Sequence, residues 1–234
     1  MNNFCRNRVV IKLSGSVFNN KDNQTQAEVL KQYSSMLVQI NKTIQPVVVA
    51  GGGSIARYYI QIARNLGLDE SSLDLIGIDV SRLNAKLLIS SLGESAYPNV
   101  PKSLDEISNF VVSNKIIISG GLHPGQSTNA TAALIAEKIR AKEFINATDV
   151  DGIYDMDPRK NNSAKLYEKI TLKECVDILL NGSSMAGEYD LMDIVALKVI
   201  ERSEIQTRVI LSSPENIINA LEEKEYKGTE LILK

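Results

Sequence analysis

Two glycine-rich turns carry the residues of this chain that are best suited to chemistry. One turn, Gly51-Gly52-Gly53-Ser54, follows the apolar run 46–50, and the other, residues 120–128, follows the apolar run 115–119. Each turn precedes a stretch with helical character. A glycine turn between a strand and a helix points backbone N–H groups and the positive end of the helix at one spot, which suits an anion. The two turns therefore predict two anionic ligands.

The second turn is similar to a P-loop but lacks its lysine. Gln126 stands where the P-loop has the cation that meets the β- and γ-phosphates. An amide supplies no charge, so a P-loop is rejected while the anion site stays predicted. Ser127 and Thr128 can cap the following helix, contact the ligand, or do both. His123, the only histidine, is expected to line the site rather than to act as a base.

The first turn also fits the dinucleotide-binding pattern G-x-G-x-x-A over residues 51–56. That pattern needs an acidic residue at the end of the next strand, whereas Asp69, Glu70 and Asp74 fall in a turn and at a helix start. A single histidine also leaves no His–acid pair for a dehydrogenase. Three consecutive glycines favour a close approach of the backbone to a ligand, and a tight structural turn is the alternative.

Lys12 ends the first apolar run, next to Ser14-Gly15-Ser16. A lysine at the carboxyl end of a strand can reach the cleft in which open α/β sheets bind ligands. The alternative is a surface lysine on an edge strand.

An acidic, turn-rich segment spans residues 148–158. It is not an EF-hand loop, because Gly152 is misplaced and the terminal glutamate is missing. Asp-Gly and Asp-Pro are common turn formers, so Asp149 and Asp155 are interpreted as turn residues. Tyr154 can stack on a base or simply pack.

Composition excludes several classes of protein. The chain has 234 residues, a formal net charge of −2 and two cysteines, Cys5 and Cys175. This charge argues against coating nucleic acid, and the two separated cysteines fit a reduced, cytoplasmic environment without a disulfide framework. One histidine excludes a histidine-clustered zinc site. No apolar run approaches the ~20 residues that cross a bilayer, so no membrane association is expected.

Short Val/Ile-rich runs alternate with helical patterns, which predicts an α/β fold: a three-layer α/β/α sandwich with a mainly parallel central sheet. An apolar stripe on the third helix (Leu73, Ile76, Val80, Leu83, Leu87 and Leu88) is interpreted as core, with a subunit interface as the alternative. The predicted strands are 8–13, 46–50, 115–119, 143–147, 207–211 and 230–233. The predicted helices are 26–41, 54–66, 72–92, 104–110, 128–141, 172–180, 192–203 and 214–222.

Taken together, residues 12–16, 50–56, 81–85, 120–128 and 148–158 resemble the amino-acid kinase superfamily. More closely they are similar to its archaeal-type UMP kinase (uridylate kinase) family, and the resemblance continues through residues 186–190 and 196–200. Isopentenyl phosphate kinases and acetylglutamate kinases usually have a histidine before the triple glycine, and this chain has Ala50. The resemblance therefore favours UMP kinases over these two.

The resemblance implies transfer of the γ-phosphoryl group of ATP to UMP, with Mg²⁺ brought by ATP, in pyrimidine nucleotide (UTP and CTP) biosynthesis. It implies one domain with a UMP-binding lobe over about residues 1–141 and an ATP-binding lobe over about 142–234. It further implies a cytoplasmic hexamer, a trimer of dimers, with UTP as a possible feedback inhibitor.

The same resemblance assigns residues to roles. Lys12 and Arg57 are the expected catalytic residues, and no protein ligand to the metal is expected. The expected ATP contacts are Gly15, Ser16, Gly53, Arg57, Thr148, Tyr154 and Asp157. The expected UMP contacts are Gly52, Asp74, Leu122, His123, Pro124, Gly125, Gln126, Ser127 and Thr128.

Two rivals stay open beside UMP kinase. One is another small-acceptor kinase of the same fold, such as an isopentenyl phosphate kinase. The other is a nucleotide sensor without turnover, which Lys12 and the paired glycine turns disfavour.

Overall fold

A seven-stranded sheet forms the centre of the molecule. The computed structural model describes residues 6–19, 22–156, 158, 161, 163–180 and 192–233. The strands are β1 (Arg8–Leu13), β2 (Gln45–Ala50), β3 (Ile117–Ser119), β4 (Glu143–Thr148), β5 (Lys169–Thr171), β6 (Gln206–Leu211) and β7 (Gly228–Ile232). The helices are α1 (Asn23–Ile40), α2 (Gly53–Asn65), α3 (Glu70–Leu92), α4 (Leu104–Phe110), α5 (Thr128–Lys138), α6 (Leu172–Leu180), α7 (Ile194–Ser203) and α8 (Pro214–Leu221).

The sheet is mainly parallel, as the sequence predicts. Its order is β3-β2-β1-β4-β6-β7-β5, and the neighbours from β3 to β6 all run parallel. Strand β7 runs antiparallel to β6, and β5 pairs with β7 in parallel. The three-residue strand β5 was not predicted, because so short a run has no measurable apolar period.

Helices cover both faces of the sheet and complete three layers. One core cluster joins the sheet to α4, α5, α6 and α7, and the other joins it to α1, α3 and α8. The central strands β1, β2 and β4 are buried along almost their whole length. Burial on both faces explains why these strands read as continuous apolar runs without polar alternation. No helix among the described residues has the length and apolarity to cross a bilayer.

Helix α3 is longer than any other described helix and begins at a side-chain cap. The Asp69 carboxylate accepts the Ser72 backbone N–H at 3.1 Å, and hydrogen bonds to Ser72 lower the pKa of Asp69. The predicted apolar stripe on this helix does not form one core face. Leu73 and Leu88 are buried, but Leu83 is 56% and Leu87 is 47% exposed. The interpretation of the whole stripe as core is therefore wrong, because α3 buries only the side that faces the sheet.

A buried ion pair joins β4 and β6 at the opposite edge of the sheet from the glycine turns. Arg208 Nη1 donates to the Glu143 carboxylate and, at 2.8 Å, to the carbonyl oxygen of Ala220. Burial raises the pKa of Glu143 from its ordinary value of 4.5 to about 7, against the attraction of Arg208, which lowers it.

Candidate active site

The carboxyl edge of the parallel sheet gathers the predicted site segments. Strands β1, β2, β3 and β4 end at Leu13, Ala50, Ser119 and Thr148, and they all run in the same direction. The segments that follow them, 14–18, 51–53, 120–127 and 149–154, therefore begin at one edge. Open α/β sheets bind ligands in the crevice outside this edge.

The turns after β1 and β2 pack directly against each other. A Cβ atom added to Gly15 would lie 2.1 Å from the backbone nitrogen of Gly53, and one added to Gly51 would lie 2.7 Å from that of Gly15. Gly53 has φ +68°, a left-handed conformation that suits glycine. Packing of two backbones thus gives a structural reason for these glycines, in addition to the ligand approach that the sequence suggests.

Helix α3 is hydrogen-bonded to the first glycine turn. The buried amide of Asn84 donates from Nδ2 to the carbonyl oxygen of Gly51 at 2.8 Å. The Asn84 amide therefore fixes the orientation of the turn.

The same helix also holds the second turn at three points. Gly121 N donates to Ser81 Oγ at 2.8 Å, and Gly125 N donates to Asp74 Oδ2 at 2.7 Å. The Arg82 guanidinium donates from Nε to the carbonyl oxygen of Gly121 at 3.1 Å and from Nη2 to that of Leu122 at 3.3 Å. One helix consequently positions both glycine turns.

Ser127 caps α5, as predicted. Its Oγ accepts the Ala130 backbone N–H at 3.0 Å and also donates to the carboxylate of Asp193. Asp193 is itself the N-cap of α7, where it accepts from Ala196 N at 2.9 Å. This contact joins the beginnings of α5 and α7, and the sequence alone gave no signal for it.

Lys12 lies inside the molecule rather than on an edge strand. Strand β1 is flanked by β2 and β4, and Lys12 is only 9% exposed, so the surface-lysine alternative is wrong. Alternation along β1 places Lys12 on the same face as Val10, which is the face that α5 covers. Its register partner on β4 is the buried Asn146, whose Nδ2 contacts Met192 Sδ at 3.4 Å. The sequence analysis missed Asn146, because nothing in its local pattern separates it from a strand residue.

Two of the predicted ATP contacts, Thr148 and Tyr154, lie at the end of β4 and in the segment that follows it. The Thr148 hydroxyl accepts the Val150 N–H at 3.2 Å, and its carbonyl accepts Ser212 N at 2.6 Å. Burial raises the pKa of Tyr154, and the nearby Asp151 raises it further, so the phenol is neutral at pH 7. Asp157 lies outside the described residues, as do residues 186–190 of the family resemblance.

Asp155, interpreted from the sequence as a turn residue, pairs with a segment ten residues further along the chain. Its carboxylate accepts from Lys165 N at 2.8 Å, and the backbone N–H of Asp155 donates to the carbonyl oxygen of Lys165 at 3.1 Å. Its place in the site is thus structural.

The remaining predicted contacts differ in how much of their surface stays open. Leu122 is buried. The half-buried ones are Gly52, Gly53, Pro124, Gln126 and Thr128, and the exposed ones are Ser16, Arg57, Asp74, His123, Gly125 and Ser127. The exposed polar groups among them are free to orient a ligand at this edge.

Two amide oxygens at this edge are buried without a hydrogen-bond partner among the described residues. They are Gln126 Oε1, in the second turn, and Asn19 Oδ1, which belongs to a side chain lying against Gly53. A buried oxygen without a donor costs about 1–3 kcal/mol, so both are suited to accept from a ligand. Asn19 was missed by the sequence analysis, since an asparagine in a polar loop carries no distinctive signal.

Comparisons with known proteins agree with this geometry. The amino acid kinase family matches residues 7–211. The uridylate kinase of Archaeoglobus fulgidus is 42% identical over 214 residues, which cover 92% of this chain and 95% of that protein. The uridylate kinase of Sulfolobus acidocaldarius is 41% identical over 227 residues, covering 96% and 99%.

Solved structures give the same result at the level of the fold. The crystal structure of the Archaeoglobus fulgidus uridylate kinase superimposes with a TM-score of 0.85 at 40% identity, over 96% of this chain and 99% of that one. The UMP kinase of Ureaplasma parvum, at 24% identity and a TM-score of 0.78 over 97% and 98% of the two chains, shares the fold. The chain therefore belongs to the amino acid kinase family, together with the archaeal uridylate kinases.

Proposed function

We propose that this chain is a UMP kinase, which transfers the γ-phosphoryl group of ATP to UMP and yields ADP and UDP for pyrimidine nucleotide biosynthesis. The observation that carries the proposal is the convergence of two glycine turns on one sheet edge, both held by α3. It is supported by 42% identity to a uridylate kinase over nearly the whole chain. Two anion-binding turns at one edge suit two phosphate-bearing substrates.

The proposed phosphoryl transfer requires neutralisation of negative charge rather than a general base. The attacking oxygen of UMP belongs to a phosphate that is already anionic at neutral pH, so no proton has to be removed. Two like unit charges ~4 Å apart repel by about 4 kcal/mol at an effective dielectric constant near 20. Lys12, Arg57 and the backbone N–H groups of the turns would offset this repulsion and stabilise the charge on the transferred group. The burial of Lys12 strengthens its field at the site.

The second turn is the proposed UMP site. Residues 122–128 and Gly52 would hold the phosphate and the base, and Asp74 would accept from the ribose hydroxyls. The contact between Asp74 Oδ2 and Gly125 N supports this, since it puts the carboxylate at the loop. Because Asp74 is exposed, its remaining oxygen lone pairs can reach a ligand.

The donor phosphate is proposed to lie against the first turn. Gly15, Ser16 and Gly53 would contact it, with Arg57 close by, while Thr148, Tyr154 and Asp157 would hold the ATP nucleoside. The packing of Gly15 against Gly53 supports a single phosphate surface formed by both turns.

Mg²⁺ is proposed to arrive with ATP. One or two carboxylates together with substrate phosphates are the usual environment of this ion in kinases. The turn after β4 begins at the same edge and carries Asp149 and Asp151. The ATP phosphates would hold the ion with no assigned protein ligand, and its charge would offset theirs beside this acidic turn.

A division into a UMP lobe over about residues 1–141 and an ATP lobe over about 142–234 fits the topology. Strands β3, β2 and β1 form one half of the sheet, and β4, β6, β7 and β5 form the other. We propose that the substrates meet where β1 pairs with β4, because each half then contributes its own turns to one cleft.

A homo-oligomer is proposed as well, with a hexamer and UTP feedback as its finer form and the cytoplasm as its location. Helices α2 and α3 pack together and both carry exposed apolar side chains, including Tyr58, Tyr59, Leu83 and Leu87. A second copy of the chain would cover such a face. Light scattering of the wild type and of Leu83→Glu measures the assembly, and a wild-type monomer would contradict it.

A coupled assay of ADP release tests the activity. Purified protein with ATP and Mg²⁺ is given UMP, CMP, AMP, GMP, deoxy-UMP, isopentenyl phosphate or carbamate in turn. We expect kcat/KM for UMP to exceed that for every non-pyrimidine acceptor by at least 100-fold. Preference for isopentenyl phosphate or carbamate would replace the proposal with another kinase of this fold, and nucleotide binding without turnover would replace it with a sensor.

A further inference from the structure

A pocket opens at the amino edge of the sheet, opposite the glycine turns. It has a volume of about 390 Å³ and lies between the end of α1, the loop at 42–44, the start of β4 and α8. Strand β4 begins at Glu143 and ends at Thr148, so at about 3.3 Å per residue the pocket lies about 16 Å from the edge that carries the glycine turns. This amino-edge pocket is therefore separate from the proposed substrate cleft.

Four apolar side chains form walls of the amino-edge pocket: Ile40, Ile44, Ile218 and Leu221. Ile40 is buried and the other three are half-buried, and all four pack in the core cluster that joins the sheet to α1, α3 and α8. Ligand pockets typically combine such apolar walls with a few polar groups that fix the orientation of the ligand. A ligand for this pocket therefore carries an apolar segment.

A buried carboxylate presents one oxygen to this pocket. Glu143 lines the pocket and is only 6% exposed. Its Oε1 accepts from Arg208 Nη1, whereas Oε2 accepts no hydrogen bond from a described residue and is not sealed from solvent. Arg208 Nε is buried without an acceptor among the described residues, so the guanidinium does not engage both carboxylate oxygens. Oε2 is therefore available to an N–H donor of a ligand.

Two lysines at the rim of the pocket carry positive charge that no ion pair takes up. Lys42 and Lys142 are both exposed, and within the described ranges neither of them forms an ion pair. Glu222, which also lines the pocket, pairs at 2.6 Å with Lys224 Nζ. An anionic group of a ligand can therefore bind to the two lysines while its N–H donor meets Glu143.

We propose that the amino-edge pocket binds a free amino acid with an aliphatic side chain. The ammonium group donates to Glu143 Oε2, the carboxylate meets Lys42 and Lys142, and the side chain packs against the four apolar residues. A purely anionic ligand would meet the Glu143 carboxylate, and a purely cationic ligand would meet the two lysines, so the charges select a zwitterion. This site goes beyond the proposed kinase activity and does not depend on it.

Calorimetry with L-leucine tests the site. The full-length protein is titrated at pH 8, because burial raises the pKa of Glu143 to about 7 and its carboxylate must be ionised. We expect one leucine per chain. Glu143→Gln and the double variant Lys42→Gln/Lys142→Gln should each weaken binding by about 10-fold or more, since each removes a charge-assisted hydrogen bond.

Lys31→Gln is the matched control for these variants. Lys31 is exposed on α1 and does not line the pocket, so its variant should bind leucine as the wild type does. No binding of leucine to the wild type at millimolar concentration, or unchanged binding in either pocket variant, would overturn the proposal.

Two analogues of leucine separate the ammonium contact from the carboxylate contact. 4-Methylpentanoate lacks the amino group and 3-methylbutylamine lacks the carboxylate, so each should bind the wild type about 10-fold more weakly or worse. Glu143→Gln should not weaken the acid further, and the double lysine variant should not weaken the amine further. A variant that had merely misfolded would lose all three ligands, and equal binding of the acid and leucine to the wild type would overturn the zwitterion assignment.

A repeat of the titration with the substrate sites filled shows where leucine binds. With saturating UMP and a non-hydrolysable ATP analogue, we expect the same single leucine per chain. Loss of leucine binding under these conditions would place leucine in the substrate cleft and overturn the proposal. Because the first titration uses the free protein, failure of the UMP kinase assay would leave the leucine result unchanged.

Discussion

The contact between Gly15 and Gly53 makes Gly15→Ala the sharpest test of the site geometry. The new Cβ would lie 2.1 Å from Gly53 N and 2.3 Å from Gly53 Cα, whereas an ordinary contact begins at 3.4 Å. The two turns must therefore separate by about 1.3 Å, the difference between 3.4 and 2.1 Å. Backbone atoms cannot move aside as easily as the end of a flexible side chain, so the displacement falls on the turns that form the proposed phosphate surface.

The expected cost appears in both activity and stability. A misplacement of about 1 Å can cost about 100-fold in rate, and overpacking typically costs about 1–3 kcal/mol. We expect kcat/KM for UMP to fall about 100-fold and the free energy of unfolding to fall by about 1–3 kcal/mol. The coupled assay gives the first quantity and urea unfolding gives the second.

Gly77→Ala is the matched control for this substitution. A Cβ at Gly77 would meet only the flexible end of Ile60, with Cδ1 at 3.2 Å, and the position lies within α3. Alanine in a helix is favoured over glycine by up to about 1 kcal/mol, so stability should be kept or gained. Wild-type kcat/KM in Gly15→Ala, or an equal loss in Gly77→Ala, would refute the argument that the two turns form one surface.

Four further substitutions test separate parts of the argument. Lys12→Ala should lower the single-turnover rate of phosphoryl transfer far more than it weakens UMP binding, and near-normal turnover would remove Lys12 from the mechanism. Asp74→Asn should weaken UMP binding and reduce discrimination against deoxy-UMP in titrations, whereas unchanged affinity for both nucleotides would discard the ribose contact. Asn84→Ala should lower the free energy of unfolding in urea by about 1–3 kcal/mol and should lower activity, because it leaves a buried carbonyl oxygen without its donor. Loss of stability with full activity would make Asn84 purely structural. The carboxyl of Glu143 has a higher pKa in the folded protein, about 7, than its ordinary 4.5, so the folded state binds this proton more tightly. Protonation of Glu143 therefore stabilises the fold fully below pH 4.5, and this contribution to the free energy of unfolding, at most about 3 kcal/mol, is lost as the pH rises through about 7. Glu143→Gln should reduce the dependence of the free energy of unfolding on pH in this range.

The predicted helix boundaries agree closely with the structure where local chemistry decides them. Residues 104–110 and 172–180 were predicted as helices with the bounds that α4 and α6 have. The cap of α5 at Ser127 was also predicted, because the hydroxyl of a serine just before a helix can accept a hydrogen bond from a backbone N–H of the first turn. Such features depend on neighbours within a few residues.

The predictions failed where burial had to be assigned to one side of an element. The period of α3 places Leu83 and Leu87 in the same stripe as Leu88, although only Leu88 is buried. A helical period shows that residues share a side, but not which neighbouring element covers each of them. The antiparallel pairing of β7 with β6 could not be predicted either, because the pattern of a short apolar run does not indicate whether the strand pairs in parallel or antiparallel.

The sequence by itself determined the alternation of strands and helices, the two glycine turns and the family to which they belong. Only the tertiary structure decided that α3 holds both turns and that Lys12 is buried on the face of β1 that α5 covers. The bond from Asn84 to Gly51 spans 33 residues and that from Gly125 to Asp74 spans 51. Contacts over such distances form only when the chain has folded, because no local propensity can bring their partners together.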